Sequence, residues 1–479
     1  MVDKLISHKG KENIAIIDTE GRKITYFELI NSARHWANYY NAINASDNII
    51  LFTGNCIEFA IGLYSIWMSG RSAILLDTYS EDSDIDIMAQ KFFCDTIVKS
   101  DHTKSVKSNC KNIIYSEIVK KRCTLKPNER CIPQNAIYFH TSGTTHDPKI
   151  VPITFKGIIE ECKALKKVFL FGEKFIDVII FPITSVSGCL GQLVPMIYSG
   201  GVVLIYEGKL SMKKIGRFVK EYKPTRLVCT PSIFSLMVLS NTVNPQDFDS
   251  VKIIVLCGEP SESKLMEQGG IKFYNAEITQ AYGLTEAASA VTSSYRTNAP
   301  YDSVGKVLDN VRVRIVKDEE PQGNNCLGEI QIKGSSVMKG YYNNKALNST
   351  IFDGDWMKTG DIGFVDDNNY LYIKGRIRNI ILVNGKTVYA EEIERIVKEY
   401  PAIENVQIYS KPSKVTGEKI VADIVIKKDC IFAYSDFKRF CHDNMKEYMV
   451  PVEIHKVKNI QLAPSGKKCI KLYGELNDY

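Results

Sequence analysis

AIYFHTSGTTHDPK, residues 136–149, is the stretch on which the reading of this chain turns. Ala136 to His140 is a short apolar run with β-branched and aromatic side chains, which predicts a buried strand. It passes straight into Thr141, Ser142, Gly143, Thr144 and Thr145, and Lys149 follows. Backbone N–H groups, hydroxyls and one ammonium in a short loop after a strand can hold phosphate oxygens. The GxxxxGK(S/T) spacing of a Walker loop is absent. On this segment alone, a phosphate cradle and an ordinary hydroxyl-rich turn stand level. A helix is expected from Thr154, with Phe155, Ile158, Ile159, Cys162 and Leu165 on one face. Strand, loop and helix in that order form the unit of an α/β fold.

The same alternation extends in both directions. Val178–Phe181, Val202–Ile205 and Ile253–Leu256 are further short apolar runs of strand type. Near the start, Thr25 and Glu28 read as a capping box. Tyr26, Ile30, Ala33, Ala37 and Tyr40 then recur at helical spacing, and His35, off that stripe, is expected at the surface. From about residue 380 the chain reads as a compact α+β segment. Ile420–Ile426 is expected as a strand and Phe437–Met449 as a helix stopped before Pro451. The expected division is therefore 1–377 and 378–479. No internal repeat or low-complexity tract appears.

The bulk numbers agree with a soluble globular chain. Its 479 residues are 44% hydrophobic and 24% charged, too long for one ordinary domain and too apolar for disorder. A net charge of +6 over this length is a weak excess. No Lys/Arg run interleaves with aromatics, so no nucleic-acid groove is expected. The 13 cysteines include no CxxC pair, which argues against a disulfide framework or a zinc site and for reduced thiols. Cys123 and Cys131, the nearest pair, read as unrelated thiols. The start of the chain lacks a signal-peptide pattern, and no apolar run approaches the roughly 20 residues of a membrane span. A cytoplasmic location is expected.

Further segments make a resemblance. Tyr282-Gly283-Leu284-Thr285-Glu286, Gly328-Glu329-Ile330 through Gly340-Tyr341, and Trp356 to Thr359-Gly360-Asp361 are three. Gly375-Arg376-Ile377-Arg378 running on to Glu392-Ile393-Glu394, and Pro464-Ser465-Gly466-Lys467, are two more. Together with the 141–149 loop they resemble, in order and interval, the motifs of the adenylate-forming superfamily. That group holds acyl- and aryl-CoA ligases, adenylation domains of nonribosomal peptide synthetases, and luciferases. Weaker echoes, Thr25-Tyr26 to Leu29 and Leu76-Asp77, carry the resemblance almost to the start. It implies a large layered α/β N-terminal domain and a small α+β C-terminal domain that caps it, with the active site between.

The resemblance implies roles, residue by residue. The 141–149 loop would fold over the β and γ phosphates of ATP, with Lys149 supplying charge. His146 and Ile150 stand where the pattern has or often has Gly, which predicts a stiffer loop. Tyr282 would stack on adenine, Thr285 would bond the α-phosphate region, and Glu286 would hold Mg²⁺. Asp361 would accept the ribose hydroxyls, and Arg376 would bind ribose or phosphate. Lys467 would bridge the substrate carboxylate and the AMP moiety, and Arg378 would be the hinge about which the C-terminal domain rotates. Asn384-Gly385 would face the pantetheine arm after rotation.

Gln280-Ala281-Tyr282 is closer to the ligase form than to the peptide-synthetase form. Phe181 to Gly188 lacks the Asp that holds a substrate ammonium, which disfavours an α-amino acid. Ser185 stands where many CoA ligases have His. Ser185, Gly188, Cys257, Gly258 and Ala281 would line the acyl pocket, and Ala281 for Gly would shorten it, towards an aryl or a short- to medium-chain acid. The expected activity is AMP-forming acid–thiol ligation, with CoA as acceptor. Two alternatives remain: loading a phosphopantetheine carrier protein in natural-product assembly, since the chain stops soon after Lys467 with no carrier domain, or a nucleotide-binding relative without ligase activity.

Overall fold

The computed structural model describes residues 2–6, 12–101, 103, 104, 106, 108, 110–114, 133–141, 149–208, 210–413, 416–428 and 430–460. Two compact units divide them. The first takes residues up to 141, from 149 to 312 and from 332 to 355; the second takes 313–331 and everything from 356.

The first unit is built on two mainly parallel sheets. The seven-stranded sheet runs Glu277–Ala281, Ile253–Cys257, Arg226–Cys229, Ile176–Ile179, Val202–Ile205, Ile14–Asp18, Lys23–Thr25, and only its last pair is antiparallel. The six-stranded sheet runs Lys111–Ile114, Thr96–Lys99, Asn48–Phe52, Ser72–Leu76, Asn135–Thr141, Lys149–Thr154, again with only the last pair antiparallel. Central strands such as Ser72–Leu76 are buried throughout, the pattern of a sheet covered on both faces.

Helix Ile57–Met68 has no polar face, and its side chains from Phe59 to Trp67 are all buried. Trp67 donates its indole N–H to the Ala136 carbonyl at 2.8 Å, which fixes the helix to the strand that enters the 141–149 loop. Gly62 allows it to lie on Leu51, where a Cβ would come within 2.7 Å of a methyl group. Helix Tyr26–Ala42 begins on the expected Thr25–Glu28 capping box and buries the expected stripe. His35 departs from expectation: it is half-buried, next to the buried Trp36. The helix ends on the fully buried Arg71, whose guanidinium donates to the carbonyls of Tyr40 and Ala45 and to Asn41 Oδ1. Carbonyl groups at a helix C-terminus supply the negative potential that a buried cation needs.

Two polar clusters tie the sheets. Asn55, in the loop after strand Asn48–Phe52, donates to the carbonyls of Phe181 (2.7 Å) and Tyr206 (3.0 Å) and accepts from Ile183 N (2.7 Å). It thus staples the strand ends of one sheet to those of the other. Asp177 and Arg226, adjacent across the seven-stranded ladder, form a buried ion pair with Nε to Oδ1 at 3.1 Å. The guanidinium lies 4.7 Å from the Phe169 ring centroid and 4.5 Å from that of Phe171.

The second unit contains the hairpin of Trp356–Val365 with Leu371–Arg376 and a sheet ordered Lys386–Tyr389, Ile380–Val383, Gly417–Ile426, Ile403–Ser413. Strand Glu453–Lys456 pairs in parallel with Gly417–Ile426. Asn384 (φ 50°) and Gly385 (φ 73°) make the two-residue turn that suits the twist of a hairpin. Helix Tyr434–Asn444 is shorter than expected: Met445 is extended, and Glu447–Met449 is a separate turn. The contact-defined division also differs from a boundary at 377/378. Helix Ala390–Lys398 packs on strand Leu371–Arg376, which joins that hairpin to the residues after it. Among the described residues, no helix is long and apolar enough to cross a membrane.

Arg226→Met leaves Asp177 buried without its partner. We expect a loss of about 3–5 kcal/mol in urea unfolding, most of it recovered when Asp177→Leu is added. Equal losses in the single and double variants would contradict this account of the pair.

Candidate active site

Strand Glu277–Ala281 leads into the YGLTE segment, and the backbone there is strained. Tyr282 offers its carbonyl to the N–H groups of Val291 (2.8 Å) and Thr292 (3.1 Å), and the residue is half-buried. Gly283 is obligatory, since a Cβ there would lie 1.8 Å from the Ser289 carbonyl oxygen. Thr285–Ala287 is a single tight turn, followed by Ala288 at φ 63° and Ser289 at φ 143°. Positive φ at non-glycine residues costs about 1–3 kcal/mol each and persists only where surroundings enforce it.

Those surroundings are specific. Met338 N donates to the Glu286 carbonyl at 2.7 Å, and the Tyr341 hydroxyl donates to Glu286 Oε1 at 2.7 Å. Tyr341 is held in turn by Asn348, which accepts from its N–H (2.7 Å) and donates to its carbonyl (2.8 Å). Lys149 Nζ stands 5.4 Å from the Tyr341 ring centroid. One tyrosine therefore joins the carboxylate expected to hold a cation to the lysine expected to meet phosphate. Lys149 pairs across the ladder with Thr141, so both ends of the intervening loop are fixed. Ser142, Gly143, Thr144, Thr145 and His146 lie outside the described residues, as does Lys467.

Two groups here have roles that sequence motifs do not assign. Tyr341 belongs to a motif that gives it no role of its own. Glu161 lies on the apolar face of helix Phe155–Phe169, three residues after Ile158 and four before Leu165, and that spacing is its only signal in the sequence. It is 1% exposed, whereas Ile159, expected on that face, is only half-buried. Glu161 accepts from Ala290 N and from Asn310 Nδ2, each at 2.8 Å. Burial pushes its carboxyl up to about 8 despite those two donors. Asn310 Oδ1 is buried without a partner; with the amide turned over it would accept the carboxyl proton.

The expected acyl-pocket residues gather at strand ends. Cys257 and Ala281 are ladder partners, and Gly258 follows at φ 84°. Ser185 and Gly188 shape the next segment: Ser185 Oγ caps it by accepting from Gly188 N at 3.1 Å. A Cβ on Gly188 would lie 2.5 Å from the Pro182 carbonyl oxygen, so this position admits only glycine.

In the second unit, Asp361 and Arg376 face each other across the hairpin, with Nε to Oδ1 at 2.9 Å. Asp361 is 3% exposed, and its N–H donates to Thr359 Oγ1, which itself donates to the Ile330 carbonyl. Arg378 is exposed two residues on. Among the described residues no group of three or more His, Cys, Asp or Glu could hold a metal. A magnesium ion carried on phosphates needs only one or two carboxylates, and Glu286, anchored through one oxygen, fits that requirement.

Glu161 keeps a proton in the fold that it loses in the unfolded chain above its ordinary 4.5. Its contribution to stability is full below that pH and declines at roughly 1.4 kcal/mol per pH unit until its folded pKa is passed. Glu161→Gln should remove this slope, so the variant gains on the wild type between pH 5 and pH 8 in urea unfolding. Parallel pH profiles would show that the carboxyl is ionised in the fold.

Comparison with known proteins places this geometry. The profile of the AMP-binding enzyme family matches residues 6–342, and that of its C-terminal domain matches residues 392–467. A 2-succinylbenzoate–CoA ligase of Oceanobacillus iheyensis is 27% identical, covering 95% of this chain and 94% of its own. An oxalate–CoA ligase of Arabidopsis thaliana is 28% identical, over 69% of this chain and 65% of its own. The structure of o-succinylbenzoate CoA synthetase from Bacillus subtilis with the acyl-adenylate OSB-AMP has a TM-score of 0.86 at 22% identity, covering 100% of this chain and 98% of that one. The same enzyme with ATP and magnesium gives 0.85 at 22% identity, covering 98% and 97%. With a family profile spanning more than half its length and the motif residues set at the ends of its strands, this chain belongs to the AMP-binding enzyme family.

Proposed function

We propose that this protein is an AMP-forming acid–thiol ligase: it joins a carboxylic acid to AMP from ATP, releases pyrophosphate, and passes the acyl group to CoA. The observation that carries the reading is the convergence of Lys149 and Glu286 on Tyr341, at the end of the strand pair that brackets the hydroxyl-rich loop. A phosphate-binding cation and a metal-binding carboxylate are needed close together wherever a polyphosphate is the leaving group. The names of the relatives supply the chemical class, since both are CoA ligases.

Each residue then has a task. The substrate carboxylate attacks the α-phosphorus, the bond to the β-phosphate breaks, and pyrophosphate departs. Lys149 and the 141–145 loop bind the departing phosphates. Tyr282 offers its ring to adenine, and Thr285 donates to the α-phosphate. Magnesium, when bound, neutralises phosphate charge, and Glu286 is the side chain that would hold it. Asp361 orients the ribose hydroxyls with Arg376 alongside, and Lys467 steadies the two anions as they join. Arg378 is the proposed pivot, with the mobile domain at 378–479. Cys257, Gly258 and Ala281, with Ser185 and Gly188, bound the acyl pocket, and an aryl or short- to medium-chain acid fits their small side chains. Cys326 and Cys430 expose free thiols, which suits a reducing cytoplasm.

Pyrophosphate exchange into ATP, across aryl, short-chain and medium-chain acids, tests adenylation. Exchange with one class is expected, reduced about 10²–10³-fold by Lys467→Ala. Thioester formation with CoA should follow. Exchange with no acid would overturn the ligase reading, and transfer only to a carrier protein would replace CoA as acceptor.

A further inference from the structure

We infer that Glu161 is a positioning residue that holds the Thr285–Ser289 turn in the shape that presents Glu286 to magnesium-bound nucleotide. This rests on the role proposed above for Glu286. The turn is remote in sequence from helix Phe155–Phe169. Its own backbone closes it, through the pairing of Gly283–Leu284 with Ser289–Ala290 and the bond from Ala288 N to the Thr285 carbonyl, but that ladder is two residues long and leaves the Ala290 N–H to an outside acceptor. Ala288 and Ser289 both sit at positive φ, 63° and 143°. Released, they would relax towards negative φ, and the direction of Glu286 would change with them. Met338 and Tyr341 restrain the turn on the Glu286 side. Glu161 restrains it on the other side, through the bond to Ala290 N immediately after the strained pair.

The second carboxyl oxygen of Glu161 extends the restraint. It accepts from Asn310 Nδ2, which also lies 3.0 Å from Ser336 Oγ. Ser336 is two residues before Met338, so a single buried carboxyl reaches both sides of the segment that carries Glu286. Ser289 has no slack sideways, because a Cβ on Gly191 would meet its Oγ at 2.7 Å. An apolar side chain in place of Glu161 would leave the Ala290 N–H buried without a partner and the Asn310 amide with Ser336 Oγ alone, a greater loss than that of the bonds themselves. Glutamine keeps the shape and one acceptor, and the Asn310 amide can turn to meet its NH₂.

Equilibrium binding of ATP by calorimetry, with magnesium and with chelator, tests this without any acid substrate. Glu161→Ala should raise Kd for magnesium-ATP about tenfold and leave that for metal-free ATP within twofold. Glu161→Gln should stay within twofold for both. Ile158→Ala, a cavity on the same helix, should lower Tm but leave both constants within twofold. If Glu161→Ala does not fold, Asn310→Ala carries the test, with an expected two- to threefold weakening confined to magnesium-ATP. Unchanged magnesium-ATP binding in Glu161→Ala, or an equal effect of Ile158→Ala, would overturn the inference. A wild-type protein that binds ATP equally with and without magnesium would instead overturn the role of Glu286, and the inference with it.

Discussion

Strand direction is the constraint on which the rest of the molecule depends. Five consecutive pairings of the seven-stranded sheet are parallel. Parallel strands bring all their C-terminal ends to one edge, and in open α/β sheets ligands bind at that edge. Cys257, Gly258, Ala281 and Tyr282 meet there because their strands are neighbours in register. The segment from Phe181 to Gly188 leaves the same edge, and Asn55 clamps its start from the other sheet.

Around that edge the fold spends stability on shape. The turn after Tyr282 is held against its own preference, with two left-handed residues and a glycine that nothing larger could replace. Its restraints are hydrogen bonds to groups with little access to water, where each bond is stronger and each unmade bond more costly. The result is a carboxylate whose direction is set before any ligand arrives. Preorganised charge of this sort reduces the reorganisation that a reaction must drive.

The fold was legible in the sequence because it rests on local rules, whereas for the site the sequence supplies candidates by motif order. The Thr25–Glu28 box, the strand at Ala136–His140 and the helix after Thr154 follow from capping and periodicity, and all three are present. What escaped depends on distant neighbours. His35 is half-buried although it lies off the apolar stripe, which no helical wheel records. Glu161 owes its place to partners, Ala290 and Asn310, that come from far along the chain. Ser185 and Gly188 were expected to line a pocket, and their visible work is to build the turn. Motif spacing nominates candidate residues, and tertiary contacts decide which of them hold the others in place.

The seven-stranded sheet also sets a timetable. Strand Ile14–Asp18 takes Val202–Ile205 as its parallel neighbour, with only the short Lys23–Thr25 on its other side. At about 5–20 residues per second of synthesis, the roughly 180 residues between them take on the order of ten to forty seconds to emerge. Through that interval a strand of isoleucines and alanine leaves the ribosome with one edge open. Such an edge is a template for pairing with other nascent chains. Until Val202–Ile205 arrives, Ile14–Asp18 is an edge of this kind, so the order of synthesis is part of what this sheet must be protected against.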